Sequence, residues 1–201
     1  DFIHEVKAYE IATGECKYFS NKDCRFAYRD SIFKRELKNK YLITSVQFKL
    51  LKKPSLKLEY GNILNELKGV KDITPKLVRE TVIKIRESKL PDPDEIGNAG
   101  SFFKNPIINK SVVEKIKSQY ENVPVYKMED DNFKIAAGWL IDKAGWKGKI
   151  IGSAGTHKNQ ALVLINAGNA SGKEILDFSK EIQKSVYKMC GIKLEPEVNI
   201  L

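Results

Sequence analysis

Residues 41–51 read YLITSVQFKLL. β-Branched and aromatic side chains fill this run, with no Gly, Pro, Asp or Asn to break it, so it is predicted as a strand. Working backwards, FIHEVKAY at residues 2–9 has the same character, and a turn at Thr13-Gly14 leads to CKYF at 16–19, a hairpin partner. The opening part is therefore predicted to be mainly β. Working forwards, the period changes. Thr74 followed by Pro75 makes a cap and first-turn pair, and Leu77, Val78, Val82 and Ile85 recur at helical spacing until about Lys89. Leu90-Pro91-Asp92-Pro93 stops that helix and marks a domain boundary. Beyond it, Ser111 and Glu114 read as a capping box and residues 133–144 as a helix with Ala136, Leu140, Ile141 and Ala144 on one face. Ala161 to Ile165 reads as a buried strand. Ser171 and Glu174 cap a helix that carries Ile175, Phe178, Ile182, Val186 and Met189 and stops at Gly191. Residues 194–201 read as extended. Strands first, then interleaved helices and strands, predict an α+β chain whose second part is an α/β domain of about 100 residues.

Composition narrows the function classes. The 201 residues are 42% hydrophobic, enough for a real core, and hold no apolar run of 18 residues. No charged-then-apolar leader opens the chain, so neither a membrane span nor a signal peptide is expected. Cys16, Cys24 and Cys190 are an odd number without a CxxC pair or a His/Cys cluster. Reduced, buried thiols in a cytoplasmic protein fit this better than disulfides or zinc, and no metal site is expected. Lys and Arg total 35 against 26 acids, a net charge of +9 that favours an anionic partner. The cations are dispersed and no RNA-binding aromatic motif occurs, so phosphorylated small molecules are a better expectation than nucleic acid.

Several residues have the chemistry for a site, each with a plainer reading. Ser101 follows Gly97-Asn98-Ala99-Gly100, a sequence that frees the backbone and can aim N–H donors at an anion, or that makes a tight turn before a strand. It is neither a P-loop nor a nucleophile elbow. A serine that only delivers a proton needs geometry more than a strong base. Arg29 can clamp a carboxylate or pair with its neighbour Asp30. Glu195 and Glu197 share one face of an extended end, and spacing does not choose between them. Tyr60 lies in a turn with Gly61-Asn62, as a lid over a ligand or as packing. Lys89 meets a phosphate or offsets the dipole of its helix. Residues 155–160, GTHKNQ, form a polar loop of the sort that touches ligands.

CRFAYRDSIFK at 24–34, KLPDP at 89–93, GNAGSFFKNP at 97–106, AAGWLID at 136–142 and LEPEV at 194–198, in this order, resemble the UDP-N-acetylenolpyruvoylglucosamine reductase family. The Tyr60 loop and the extra βα elements are similar to its type I subgroup. The resemblance implies the C-terminal half of a flavin-binding α+β domain over residues 1–89, a substrate-binding α/β domain over 90–191, and a returning strand over 192–201. It implies an FAD enzyme that uses NADPH to reduce the enolpyruvyl ether of UDP-N-acetylglucosamine to UDP-N-acetylmuramate. Ser101 would donate the proton, while Arg29 and Glu197 would polarise the substrate carboxylate. Tyr60, Lys89, Asn105 and Gln160 match substrate-contacting positions, and Arg86 one near the flavin. The expected partner is a UDP-sugar, with no nucleic acid and no membrane, on a cytoplasmic monomer.

Two features depart from the family pattern. The glycine-rich pyrophosphate loops of the flavin domain do not occur, so the chain is expected to be a fragment that binds FAD poorly or not at all and is inactive alone. Asn199 stands where members of the family can carry a basic residue. A non-catalytic nucleotide-sugar binding module is the competing reading.

Overall fold

Strand β1 (Ile3–Glu10) buries Val6 and Ala8 and pairs antiparallel with β2 (Cys16–Ser20) on one side. In the computed structural model, which describes residues 2–59, 61–128 and 131–200, its other side pairs with β3 (Tyr41–Phe48). The turn between β1 and β2 closes with the Gly14 N–H on the Glu10 carbonyl, and Gly14 takes a φ of 74° that suits glycine. Ser20 and Asp23 then cap a short helix, α1 (Asn21–Cys24), reciprocally. Phe19 meets Phe33 and Tyr41 edge-on at 5.1 and 5.3 Å, which ties the hairpin to a 3-10 turn at Ile32–Lys34. The β3 strand ends at Phe48 instead of Leu51 because its partner runs out: Ile3 faces Phe48, and the last bond is Lys49 N–H to the Phe2 carbonyl.

The chain divides into two compact units, Asp1–Leu58 and Glu59–Leu201. Compactness thus breaks before the helix that precedes Pro91, and that helix goes with the second unit. This unit opens with α2 (Ile63–Glu66) and α3 (Pro75–Lys89), the latter capped by Thr74 Oγ1 accepting from the Leu77 N–H. There follow β4 (Gly97–Ser101), β5 (Ile107–Ile108), α4 (Lys110–Gln119), β6 (Val125–Lys127), β7 (Phe133–Ile135) and α5 (Ala137–Lys143). Then come β8 (Ile150–Ile151), β9 (Ala154–Thr156), β10 (Val163–Asn166) and α6 (Gly172–Cys190). The strands form one sheet in the order β4-β10-β9-β8 and another in the order β5-β7-β6. Every pairing among the described strands is antiparallel, so the helices do not serve as parallel crossovers and the class is α+β.

Four local expectations change. Residues 133–135 are strand, not the first turn of a helix, because Phe133 and its neighbours are paired on both sides by β5 and β6. The cap of α4 is Asn109, whose side chain accepts from the Val112 N–H, while Ser111 donates to Asn109 Oδ1. Gly97–Ser101 is a strand rather than a turn. The buried strand begins at Val163, with Ala161 and Leu162 in the turn before it. Cys16 is exposed, whereas burial of Cys24 and Cys190 pushes both thiols up and keeps them protonated.

The core of the second unit is a single cluster. Phe103, Ile116, Ile135, Leu140, Ile141, Ile182 and Val186 are almost wholly buried, and Trp146 meets Phe178 edge-on at 5.2 Å. Each fully buried aliphatic side chain contributes about 1.5–3 kcal/mol, so this cluster is what holds the unit together. Among the described residues no helix is long and apolar enough to cross a membrane.

The helix α6 is held at its start by the Ser171–Glu174 capping box, which keeps the Glu174 carboxyl below its ordinary value through hydrogen bonds from the Ser171 N–H and hydroxyl. A lowered folded-state value means stability that is present above the ordinary glutamate range and fades as pH falls through the lowered value. Glu174→Gln is therefore expected to be slightly less stable than wild type at neutral pH and equal to it in acid. Urea denaturation at the two pH values checks this.

Candidate functional site

Ser101 owes its position to a bulge. On β10, Ile165 faces Asn98 and Val163 faces Ser101, so β4 carries one extra residue between these pairs. Gly100 fills the bulge with a φ of 69°. Asn98 clamps it from both sides, its Oδ1 accepting from the Gly100 N–H at 3.0 Å and its Nδ2 donating to the Ile96 carbonyl at 2.8 Å. Immediately after Ser101, Phe102 and Phe103 are buried with rings 5.0 Å apart, and the Phe102 N–H bonds to the Leu162 carbonyl at 2.8 Å. An exposed hydroxyl thus stands between a clamped bulge and two core anchors. The N–H groups of Gly100 and Phe102 are bonded internally, so this segment holds a hydroxyl rather than serving as an open anion cradle.

The C-terminal stretch is brought to this strand by a chain of contacts. Gly191 ends α6 with a φ of 73°, Ile192 and Leu194 are buried, and Gln183 Nε2 donates to the Leu194 carbonyl at 2.8 Å. Phe103 and Pro196 then face each other across an antiparallel bridge, flanked by Lys104 N–H to Glu195 O at 2.9 Å and Glu197 N–H to Phe102 O at 2.8 Å. In a non-hydrogen-bonded antiparallel pair a residue's own N–H is not used, which is why proline fits at 196. The two glutamates are now told apart. Glu195 is exposed and pairs with Lys104 at 3.3 Å, whereas Glu197 is half-buried with its backbone against the residue that follows Ser101.

Asn105 and Gln160, far apart in sequence, both address the start of α5. Asn105 Oδ1 accepts from the Ala137 N–H at 2.9 Å. Gln160 Oε1 lies 3.2 Å from the point a Cβ on Gly138 would occupy. Asn105 thus spends its oxygen on the helix start and keeps its NH₂ group as a donor, while the Gln160 carboxamide lies beside the open Cα of Gly138. The loop that carries Gln160 is more buried than its polar sequence suggests. Thr156 is almost fully enclosed with its hydroxyl on the Trp146 carbonyl, and His157 is 8% exposed with an Nδ1 that finds no hydrogen-bond partner among the described residues. Only the mixture of Gly, Thr and His just before an apolar strand hinted at this enclosure.

The remaining expected residues lie elsewhere. Arg86 and Lys89 occupy the last turn of α3, three residues apart and both exposed, and neither makes an ion pair among the described residues. Arg29 belongs to the first unit. It sits in a two-residue turn closed by mutual bonds between Ala27 and Asp30 at 3.0 and 3.2 Å, with a φ of 54°, an uncommon value for a residue other than glycine. The carboxylate of Asp30 is held by Arg35 Nε at 3.3 Å and by the Ser31 N–H at 2.8 Å. Tyr60 lies outside the described residues.

The family model for the C-terminal domain of UDP-N-acetylenolpyruvoylglucosamine reductase matches residues 92–201. Among curated proteins, a UDP-N-acetylenolpyruvoylglucosamine reductase of Flavobacterium johnsoniae is 52% identical over 204 residues, covering 100% of this chain and 60% of the relative. The same-named protein of Bdellovibrio bacteriovorus is 46% identical, covering 98% and 59%, and that of Bacteroides fragilis 42%, covering 100% and 60%. The chain therefore spans about 60% of the length of the curated relatives it matches. Among solved structures, the UDP-N-acetylenolpyruvylglucosamine reductase of Thermus caldophilus aligns with a TM-score of 0.59 at 21% identity, over 99% of this chain and 53% of that one, a likeness of fold.

The bulge makes a stability test available. Gly97 and Gly100 both stand in β4, but only Gly100 has the left-handed φ, and an added Cβ at Gly97 meets Asn166 Cβ at an ordinary 3.4 Å. Gly100→Ala is expected to lower stability by about 1–2 kcal/mol. Gly97→Ala should stay within about 0.5 kcal/mol of wild type, and urea denaturation of both variants compares them.

Proposed function

The chain belongs to the UDP-N-acetylenolpyruvoylglucosamine reductase family, and from that premise we propose that it is the substrate-side portion of such an enzyme. Its reaction is the reduction of the enolpyruvyl ether of UDP-N-acetylglucosamine to the lactyl ether, giving UDP-N-acetylmuramate for peptidoglycan. We assign residues 1–89 to the later half of a flavin domain, 90–191 to the substrate domain and 192–201 to the returning strand that carries Glu197. The setting we infer is a cytoplasmic monomer with a UDP-sugar and no nucleic acid as its partner. FAD, when bound, would take hydride from NADPH and supply it to the substrate.

What this chain contributes is the handling of charge and proton. Hydride addition at the β-carbon of the enolpyruvyl group pushes an electron pair towards the α-carbon and its carboxylate. A hydroxyl at Ser101 delivers the proton to the α-carbon and is re-protonated from solvent. Arg29 and Glu197 are assigned to the carboxylate end, where a fixed cation and hydrogen-bond partners lower the barrier as charge builds. The observation that carries the reading is the docking of Glu197 on the Phe102 carbonyl, which brings one candidate catalytic residue to the strand of another.

The binding residues support the same substrate class. The carboxamide NH₂ donors of Asn105 and Gln160 suit the oxygens of a diphosphate or uracil. Lys89, an exposed cation at a helix end, suits a phosphate. Tyr60 is assigned to the substrate on the family match alone. The donor set fits the substrate better than the flavin, and the exposed guanidinium of Arg86 is the group assigned to the cofactor.

Ser101→Ala in the intact reductase is expected to leave the bleaching of bound flavin by NADPH unchanged. Substrate-dependent reoxidation should slow by about 10²–10³-fold. Stopped-flow absorbance separates the two half-reactions, and reoxidation at wild-type speed would remove Ser101 from its role. A protein that binds the UDP-sugar yet never oxidises NADPH would be a binding module instead.

A further inference from the structure

Gly138 is the second residue of α5 and follows Ala136-Ala137 in a run where alanine would fit the helix better than glycine. Its backbone does not explain it, since it is absent from the residues with left-handed φ. Space does. A Cβ built on Gly138 would lie 3.1 Å from Leu162 Cδ1 and 3.2 Å from Gln160 Oε1, both closer than side chains normally approach. The neighbouring backbone offers little room to retreat. The Gln160 N–H is bonded to the His157 carbonyl at 3.3 Å, the Gln160 carbonyl accepts from Val163 N–H at 3.0 Å, and Asn105 holds the Ala137 N–H. With the main chain fixed on both sides, a methyl group at 138 would have to be accommodated by the side chains it meets.

We propose that Gly138 is a positioning residue that sets substrate affinity, its missing side chain being the slot in which the Gln160 carboxamide is held with its NH₂ towards the substrate. The inference rests on the reading above that Gln160 contacts the UDP-sugar. It predicts that glycine here is required by a neighbour's amide and not by the helix or the fold.

The test is a double-mutant cycle in the intact, FAD-loaded reductase, read as steady-state KM for the UDP-sugar and kcat. Gly138→Ala should raise KM about tenfold, the loss of one well-placed hydrogen bond, with kcat nearly unchanged. Gln160→Ala should raise KM to a similar degree, and adding Gly138→Ala to it should raise KM no further, because the route of the effect is already gone. Leu162→Ala removes the other close atom, keeps the background foldable if the single glycine variant is not, and should leave the KM defect of Gly138→Ala in place. Restoration of KM by Leu162→Ala would show that the glycine serves apolar packing and would overturn the proposal. So would a wild-type KM for Gly138→Ala beside a raised KM for Gln160→Ala, which leaves the Gln160 contact standing. An unchanged KM for Gln160→Ala would overturn the contact itself and the inference with it.

Discussion

Two hydrogen bonds around the Phe103–Pro196 bridge fix the C-terminal stretch to the strand that carries Ser101. Without them residues 195–198 would lose their register on that segment. Their strength comes less from the bonds than from what surrounds them. Phe103 is fully buried, Leu194 is nearly so, and Gln183 on α6 holds the Leu194 carbonyl one residue before the pairing begins. A backbone bond of this kind is worth about 0.5–1.5 kcal/mol net, too little to order a tail alone but enough to set its register once apolar side chains have placed it. Core packing decides that the strand returns, and hydrogen bonding decides where Glu197 stops.

The second organising element is the start of α5. It is a short helix with no capping side chain of its own at Ala136, and Asn105 from another segment supplies the acceptor for Ala137. A helix N-terminus must find such partners, because its first N–H groups have none within the helix. Here the partner is a residue also proposed to bind substrate, so one amide does structural work with its oxygen while its nitrogen remains a donor. Leu140 and Ile141, fully buried one turn later, anchor the helix that both amides address.

Much of this was legible from local pattern. The hairpin, the strand at 41–48, the helix from Pro75 to Lys89 and the long helix from Gly172 to Cys190 follow from turn residues, caps and periodicity, each a property of a few adjacent residues. The misread segments share a different cause. Residues 133–135 have a helix-compatible apolar spacing with residues 136–144, and only two strands brought from elsewhere in the chain make them β. Likewise GNAGS looks like a turn by composition, and its glycine does take a turn-like φ, but long-range pairing with β10 turns it into a bulged strand. Burial was harder still. Leu42 and Phe48 lie on the best-predicted strand yet are 62% and 59% exposed, because β-propensity reports how side chains fit a pleated surface and not what covers it. The choice between Glu195 and Glu197 was invisible for the same reason, since it depends on Lys104, a residue reached only through the bridge.

These features bear on how Ser101 would serve as the proposed proton donor. Its hydroxyl is a weak acid, so its usefulness in the proposed reaction depends on being in place when the α-carbon gains charge, not on its own readiness to ionise. Placement requires a support that does not relax. Ser101 has one on each side: the Asn98 clamp, which closes the bulge before it, and the paired phenylalanines, which root the strand after it in the core. The left-handed conformation needed at residue 100 would cost any side-chain-bearing residue stability, and glycine avoids most of that cost. The residues immediately after the strand then carry the backbone pairing that holds Glu197. A single bulged segment, held by core aromatics, thereby fixes the backbone of both residues to which the proposed reaction assigns its proton and its carboxylate.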